Sequence, residues 1–418
     1  MSACGWDGLQ VLADDLTGAC DVAAALLPWA GDIVVQPDPL LPDRPAGGLV
    51  VVNTATRTRQ PQRAGAVVRE VVARMVPPGW KGVFLKKIDT GLRGAIGAEL
   101  DAVMEAVHAE EAFVLPAIPE VGRTTEGGYQ LIDGVPVDRT PFGIDPDNPV
   151  SGSRVPAVYG LTGRRQTAVV DVPGQESAAG VAAAIDRLRA AGAAVLVCDA
   201  RTDADLERAV EAVLRRPRPL VLAGSIGLAR ALRRALDGGT TRTASPTVGH
   251  RRGRAEGGPV LVVVGSAHPI AHAQTEELVA SGRAERVAIE LDRPDEAAAT
   301  AGGQLAQGRT VVLAVPRRRL AGRSDAVQGA LSVAVRSVLT VQRPAGLLIV
   351  GGETAYAVLA AMGHPPLVVL DRLAPLVVLS AVATGSFAGL AIVTKGGSSG
   401  ERGLLVDVLE RLEESLVR

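Results

Sequence analysis

The chain has 418 residues, with 44 Lys or Arg against 45 Asp or Glu, so its formal net charge is −1. Such a balance gives no electrostatic reason to expect nucleic acid or an anionic membrane as partner, and aromatics at only 2% argue against base-stacking platforms. Three scattered cysteines, Cys4, Cys20 and Cys198, form neither a disulfide framework nor a zinc pattern, which points to a reducing, cytoplasmic setting.

Hydrophobic residues make up 47% of the chain and are mainly Ala, Val and Leu. That composition suits parallel sheets covered by Ala-rich helices. The length predicts two or three domains. The opening MSACGWDGLQ has no basic stretch and no long apolar run, so no signal peptide is expected. The longest apolar candidate, Leu367 to Val382, is broken by Asp371, Arg372 and Pro375, so no membrane span is expected.

In chain order, Leu9 to Leu12 reads as a strand running into Asp14, Asp15 and Thr17, then a helix from about Cys20 to Trp29. Paired carboxylates at a strand end can bind a metal, a sugar hydroxyl or a proton in transit. A helix cap explains one of the two, not both. Strands are predicted at Ile33–Val35 and Leu49–Val52, the second followed by Arg57, whose guanidinium can grip a carboxylate with two hydrogen bonds.

The densest polar stretch is LKKIDTGLRGAIGAEL, Leu85 to Leu100. Only four of the 44 basic residues are lysines: Lys81, Lys86, Lys87 and Lys395. A chain this rich in Arg keeps Lys where a compact point charge is needed. Gly82–Leu85 reads as a buried strand, and Ile96, Leu100, Met104 and Val107 have helical spacing. The cluster Lys86, Lys87, Asp89, Thr90 and Arg93 therefore sits between a strand's C-terminal end and a helix N-terminus. Open α/β sheets bind ligands there, and helix N-termini favour anions.

Ala112–Leu115 is the next predicted strand, with a hairpin from Tyr129 to Val137 across Asp133-Gly134 and a long ordered loop from Thr140 to Pro156. Strands at 168–172, 194–198 and 220–222 then alternate with helices at 177–191, 203–215 and 226–236. Gly238 to Gly258 is polar and aperiodic, and reads as a linker. Beyond it, strands are predicted at 260–264, 286–290, 310–315, 347–350, 367–370 and 390–394. The last helix carries Leu405, Leu409, Leu412 and Leu416 on one face. Repeated βα units predict an α/β chain of two doubly wound, three-layer domains with largely parallel sheets and a cleft between them. The expected boundaries are 1–240, a linker at 241–257, and 258–418.

Three turns of the second domain, at 265–267, 351–355 and 395–400, are rich in glycine and follow strands, so their N–H groups can cradle phosphate. Lys395 adds a point charge. Neither G-x-x-x-x-G-K-[ST] nor G-x-G-x-x-G occurs, which disfavours a P-loop enzyme and a dinucleotide-dependent dehydrogenase. His268 and His272 stand four apart but lack a third ligand nearby, and His108, His250 and His364 show no partners. Carboxylates, Arg57 and the Lys86–Arg93 cluster in one domain and phosphate-type turns in the other suit a kinase of a small acidic substrate.

These segments resemble one family. ADDLTGACD at 13–21, NTATR at 53–57, KKIDTGLRGAIGAEL at 86–100 and PAIPEVGRTTEGGYQLIDGVPVDRT at 116–140 look like the N-terminal signature of the four-carbon acid sugar kinases. VVVGSAHP at 262–269, VGGETAYAVL at 350–359 and TKGGSSG at 394–400 resemble its nucleotide-binding part. The resemblance implies ATP-dependent phosphorylation of a hydroxyl on a sugar acid of the threonate or oxo-tetronate type, with Mg²⁺ accompanying the phosphates. It implies that Asp14, Arg57, Lys86, Asp89, Thr90, Arg93 and Arg123 face the acid. Asp14, Asp15 and Asp89 are the candidate bases, with Lys87 among the catalytic residues. Ser266, Gly351, Gly352, Glu353, Thr354, Ala355, Lys395, Gly396, Gly397 and Gly400 would hold ATP. No metal ligand is assigned, and a homodimer is allowed. The sequence departs from the family pattern at Thr90-Gly91, where Ser-Thr is usual, and at Ser399, where an aromatic is usual. The missing ring predicts a poorly packed 395–400 loop. The alternative is a catalytically weak homologue that binds a sugar acid or nucleotide as a sensor.

Overall fold

A computed structural model describes residues 8–30, 32–39, 48–145, 148–237, 257–315 and 323–417. Cys4, His250 and all of the predicted linker except Gly257 lie outside the described residues. Two compact units emerge, one of Met1–Asp14, Ala25–Ile33 and Asp38–Ser245, the other of Asp15–Ala24, Val34–Pro37 and Pro246–Arg418. Two short N-terminal pieces thus cluster with the second unit.

The chain begins with β1 (Leu9–Ala13), α1 (Leu16–Ala30), β2 (Ile33–Gln36), β3 (Leu49–Asn53), α2 (Pro61–Met75), β4 (Val83–Lys87), α3 (Ile96–Val107) and β5 (Ala112–Leu115). Short strands β6 (Arg123–Glu126), β7 (Tyr129–Ile132) and β8 (Val135–Pro136) follow. The first unit continues with α4 (Val155–Gly160), β9 (Thr167–Val170), α5 (Ala178–Ala190), β10 (Val195–Cys198), α6 (Asp203–Leu214), β11 (Leu220–Gly224) and α7 (Ile226–Asp237).

Seven strands of this unit form a parallel run in the order β3-β1-β4-β11-β5-β10-β9. They are short Val- and Leu-rich segments, and β1, β4, β5, β10 and β11 are buried along their whole length. That is expected of a sheet covered on both faces. Register brings their C-terminal ends to one edge: Ala13 pairs with Asn53 and with Lys87, and Lys87 pairs with Gly224. The chain leaves β1 toward β3 on one side, and β4 lies on the other. The order reverses there, at the place where doubly wound sheets bind ligands.

The predicted hairpin forms as β7 and β8, with Asp133 at φ +50° and Gly134 at φ +77°, the two positive angles that a tight two-residue turn needs. Strand β6 was not expected. Its sequence is polar and only Thr125 is buried, so no apolar alternation marks it. Asp199, just beyond β10, anchors this small sheet by accepting the N–H groups of Gly127 and Gly128 at 2.8 Å each.

The second unit contains β12 (Val260–Val264), α8 (Pro269–Ala280), β13 (Glu285–Ala288), α9 (Pro294–Ala306), β14 (Val311–Ala314), α10 (Ser324–Val341), β15 (Gly346–Val350) and α11 (Gly352–Ala361). It ends with β16 (Leu367–Ala374), β17 (Val377–Val382), β18 (Ala391–Lys395) and α12 (Leu404–Val417). The order β13-β14-β12-β15-β18 is parallel; β17 then pairs antiparallel with β18, and β16 with β17. Strand β16 outruns its predicted end and β17 was not predicted. Two register shifts, between Val369 and Asp371 and between Arg372 and Ala374, carry the strand past the charges that broke its sequence pattern. Val34 and Val35 of β2 pair antiparallel with Val368 and Leu367, which draws 34–37 into this unit. On α12 the four expected leucines are all buried. Among the described residues no helix is long and apolar enough to cross a membrane.

Close packing of α3 depends on Gly97. A Cβ there would lie 2.2 Å from the Tyr159 carbonyl oxygen and 2.3 Å from the Gly163 nitrogen, both backbone atoms. Gly97→Ala is expected to cost about 1–3 kcal/mol, the usual range for overpacking. A urea midpoint equal to that of the unchanged chain would show that the 159–163 segment yields freely.

Candidate active site

In the first unit the charged residues meet at the sheet edge in a compact network. Asp14 follows β1 and is buried; its carboxylate accepts two hydrogen bonds from Arg57, Nε at 2.8 Å and Nη2 at 3.0 Å. The Asp14 carbonyl accepts the Thr56 N–H at 3.0 Å, which sets the path of the loop that delivers Arg57. Asp89, also buried, accepts from Arg93 through Nε at 2.7 Å and the backbone N–H at 3.2 Å. Arg57 Nη1 lies 3.9 Å from Asp89, so the two pairs form one four-charge cluster. Burial alone would push the Asp14 carboxyl up, but Arg57, Lys86 and Lys87 hold it below the usual carboxylate value. Burial acts on Asp89 in the same direction, and Arg93 and Arg57 overcome it to hold that carboxyl well below the usual range. Both carboxylates therefore stay ionised at neutral pH.

The other expected acid-facing residues divide. Arg123 donates to the Thr90 hydroxyl, which joins the β6 strand to the cluster. Lys87 donates to the Ile88 carbonyl at 2.6 Å. Lys86 turns elsewhere: fully buried, its Nζ sits 2.7 Å from Glu99 on α3 and 2.9 Å from the Lys87 carbonyl. Glu99 was missed in the sequence; an acidic residue in the first turn of the helix after a Lys pair was the available signal. The predicted loop from Thr140 was not expected to reach the cluster, yet it does. Its Phe142 ring lies 4.9 Å from the Arg93 guanidinium carbon and 5.9 Å from that of Arg123, and its Asp145 lies 3.8 Å from Arg93. A Cβ at residue 91 would come within 2.6 Å of the Phe142 ring. The Gly91 departure thus makes room for an aromatic platform under two guanidiniums.

In the second unit, register aligns Val264, Val350 and Lys395 across β12, β15 and β18, so the three glycine turns leave one sheet edge side by side. They touch. A Cβ on Gly397 would lie 2.1 Å from the Ser266 hydroxyl, and one on Gly351, at φ +115°, 3.5 Å from Ser266 Cβ. Thr354 is buried, with its hydroxyl against Gly265, and Ala355 donates to the Gly351 carbonyl as α11 begins. Exposed Glu353 accepts the Ser324 hydroxyl at 3.0 Å. Gly396 and Gly397 are partly covered, and Gly400, at φ +82°, is exposed.

Lys395 is fully buried and donates to the Gly396 carbonyl at 2.7 Å. No carboxylate pairs with it among the described residues, and burial pushes its ammonium down to about 7. A buried ammonium without a counter-charge suits an anionic ligand. Asp15 belongs to this unit and caps α1, accepting the Thr17 hydroxyl at 2.5 Å and the Gly18 N–H at 3.0 Å. A Cβ on Gly352 would lie 2.5 Å from its carboxylate. The 395–400 loop is not loose, as the missing aromatic predicted. Ser399 is buried with its hydroxyl on the Gly396 carbonyl at 3.0 Å, and Gln274 of α8 donates to the Ser399 and Glu401 carbonyls.

Residues 9–232 match a family described as a sugar-binding N-terminal domain, and residues 261–405 one described as a nucleotide-binding C-terminal domain. The chain is 33% identical to a D-threonate kinase of Bordetella bronchiseptica, over 97% of this chain and 98% of that one. It is 30% identical to a 3-oxo-tetronate kinase of Methylobacterium radiotolerans, over 85% and 88%. A solved structure from Salmonella typhimurium, 21% identical, shares the fold with a TM-score of 0.77, covering 96% of this chain and 99% of that one.

The Lys86–Glu99 pair is expected to serve the fold. Removing one partner of a buried ion pair costs roughly 3–5 kcal/mol, because the other charge is left bare. Lys86→Met or Glu99→Gln should lower the denaturation midpoint strongly, and Lys86→Met with Glu99→Leu should recover much of the loss. Equal losses in the single and double variants would show that the pair itself contributes nothing.

Proposed function

Because the chain belongs to the family that joins a sugar-binding N-terminal domain to a nucleotide-binding C-terminal domain, we infer that it is an ATP-dependent kinase phosphorylating a hydroxyl of a four-carbon sugar acid. One observation carries the reading down to residues: each unit gathers its chemistry at the C-terminal ends of parallel strands, ionised carboxylates and guanidiniums in one, glycine turns around a buried ammonium in the other. The names of the relatives make threonate and 3-oxo-tetronate the first substrates to try.

Phosphoryl transfer asks for positioning and neutralised charge rather than covalent chemistry. In this reading Asp14 and Asp89, kept ionised by Arg57 and Arg93, accept hydrogen bonds from the polyol and orient the attacking hydroxyl, whose proton one of them takes. Arg57, Arg93, Arg123 and Lys87 supply the positive charge that draws the carboxylate of the acid. Lys395, the amides of the 351–355 and 396–400 turns and the N-terminus of α11 hold the nucleotide phosphates. Magnesium, when bound with ATP, neutralises charge on the phosphate oxygens. One carboxylate beside a phosphate-type turn fits an ion held mainly by phosphates, and Asp15 against Gly352 would be that ligand.

The direct test mixes the purified chain with ATP and, one at a time, threonate, erythronate and 3-oxo-tetronate. ADP should form only when an acid is present. Tight ADP binding without turnover on any acid would favour the sensor reading. Arg57→Ala should raise KM for the acid by a loss of about 2–5 kcal/mol, with KM for ATP little changed. An unchanged acid KM would move the acid site away from the cluster.

A pH dependence follows from Lys395. The free ammonium titrates near 7, and an anion beside it raises that value. Between the two values the complex holds the proton that the free protein has lost, so affinity falls as pH rises. ADP affinity should be highest below about pH 7 and fall by up to about tenfold per pH unit above it. In Lys395→Met only the titration of the nucleotide itself should remain. Calorimetry giving both proteins the same pH profile would remove Lys395 from the phosphate site.

A further inference from the structure

Four carbonyls at and after the end of β18 are tied. That of Lys395 accepts the Gly351 N–H at 2.9 Å, and that of Gly396 accepts Lys395 Nζ at 2.7 Å and the Ser399 hydroxyl at 3.0 Å. The carbonyls of Ser399 and Glu401 accept both hydrogens of one side chain, the amide of Gln274, at 3.1 and 2.8 Å. Gln274 is fully buried on α8, and its Oε1 has no hydrogen-bond partner among the described residues. The amide is thus held in place by its amino end alone. Two carbonyl oxygens within reach require that end to face them, whichever way the amide is assigned.

A trans peptide is planar, so a carbonyl and the N–H that follows it point in opposite directions. Turning the Ser399 carbonyl onto α8 turns the Gly400 N–H away from α8, and the Glu401 carbonyl does the same for Arg402. Gly400 sits at φ +82°, a conformation that glycine adopts without strain. We propose that Gln274 is a positioning residue for nucleotide binding: it aims the Gly400 and Arg402 amides at the phosphates by pinning the carbonyls on the other side of their peptides. This rests on the reading of the 395–400 loop as part of the nucleotide site.

The test compares Gln274→Met, which keeps length and burial, and Gln274→Glu, which sets an acceptor against two carbonyls, with the unchanged chain and Lys395→Met. Each lost hydrogen bond is worth about a tenfold change at most. Gln274→Met should raise KM for ATP and Kd for ADP by about tenfold, and Gln274→Glu by more. KM for the acid should hold in both, and hydrogen exchange at 396–402 should quicken in both. Equal changes in the two KM values, or an unchanged ADP affinity in Gln274→Met while Lys395→Met loses binding, would overturn the role of Gln274 and leave the nucleotide reading standing. Failure of the unchanged chain and of every variant to bind ADP would overturn both.

Discussion

Burying an ammonium group strips it of water, and three of the four lysines in this chain are buried. Each must find a replacement for its hydration, and the chain solves the problem in three ways. Lys86 takes a carboxylate, Glu99, and a carbonyl, so its charge is balanced within the fold. Lys87 takes a carbonyl and lies beside the Asp14–Asp89 cluster. Lys395 takes a carbonyl and, among the described residues, no carboxylate, and its proton becomes labile as a result. The different answers separate a lysine whose charge is balanced within the fold from one whose charge is not.

The same constraint of register builds both candidate sites. In a parallel sheet the strands end together, and whatever residues follow them are gathered at one edge. Ala13, Asn53 and Lys87 align in the first unit; Val264, Val350 and Lys395 align in the second. What differs is the chemistry placed after those ends. Charged side chains in the first unit neutralise one another, which keeps carboxylates ionised in a buried place where burial would otherwise protonate them. Glycines in the second let the backbones of three turns approach each other closely.

Gly91 and Ser399 show how departures from a family pattern are absorbed. Loss of a side chain at 91 admits the Phe142 ring, which lies under Arg93 and Arg123. Loss of a ring at 399 leaves a serine whose hydroxyl and carbonyl are both bonded.

Much of this was legible in one dimension. Short Val- and Leu-rich runs alternating with helical spacing determined the parallel sheets. Lysine scarcity beside glycine turns marked Lys86, Lys87 and Lys395. Asp14, Arg57, Asp89 and Arg93 stood out as charges at strand ends, and local order alone put them there. Tertiary structure alone decided who pairs with whom. Glu99, rather than a ligand, neutralises Lys86; Asp15 caps a helix against Gly352, while its neighbour Asp14 binds Arg57. The strands β6 and β17 pair with their chain neighbours β7 and β16, yet β6 is polar and β17 shows no polar–apolar alternation, so neither carried a period to read. The tether Gln274 depends on carbonyls more than a hundred residues away, and hydrogen bonds across such distances leave no period in the sequence.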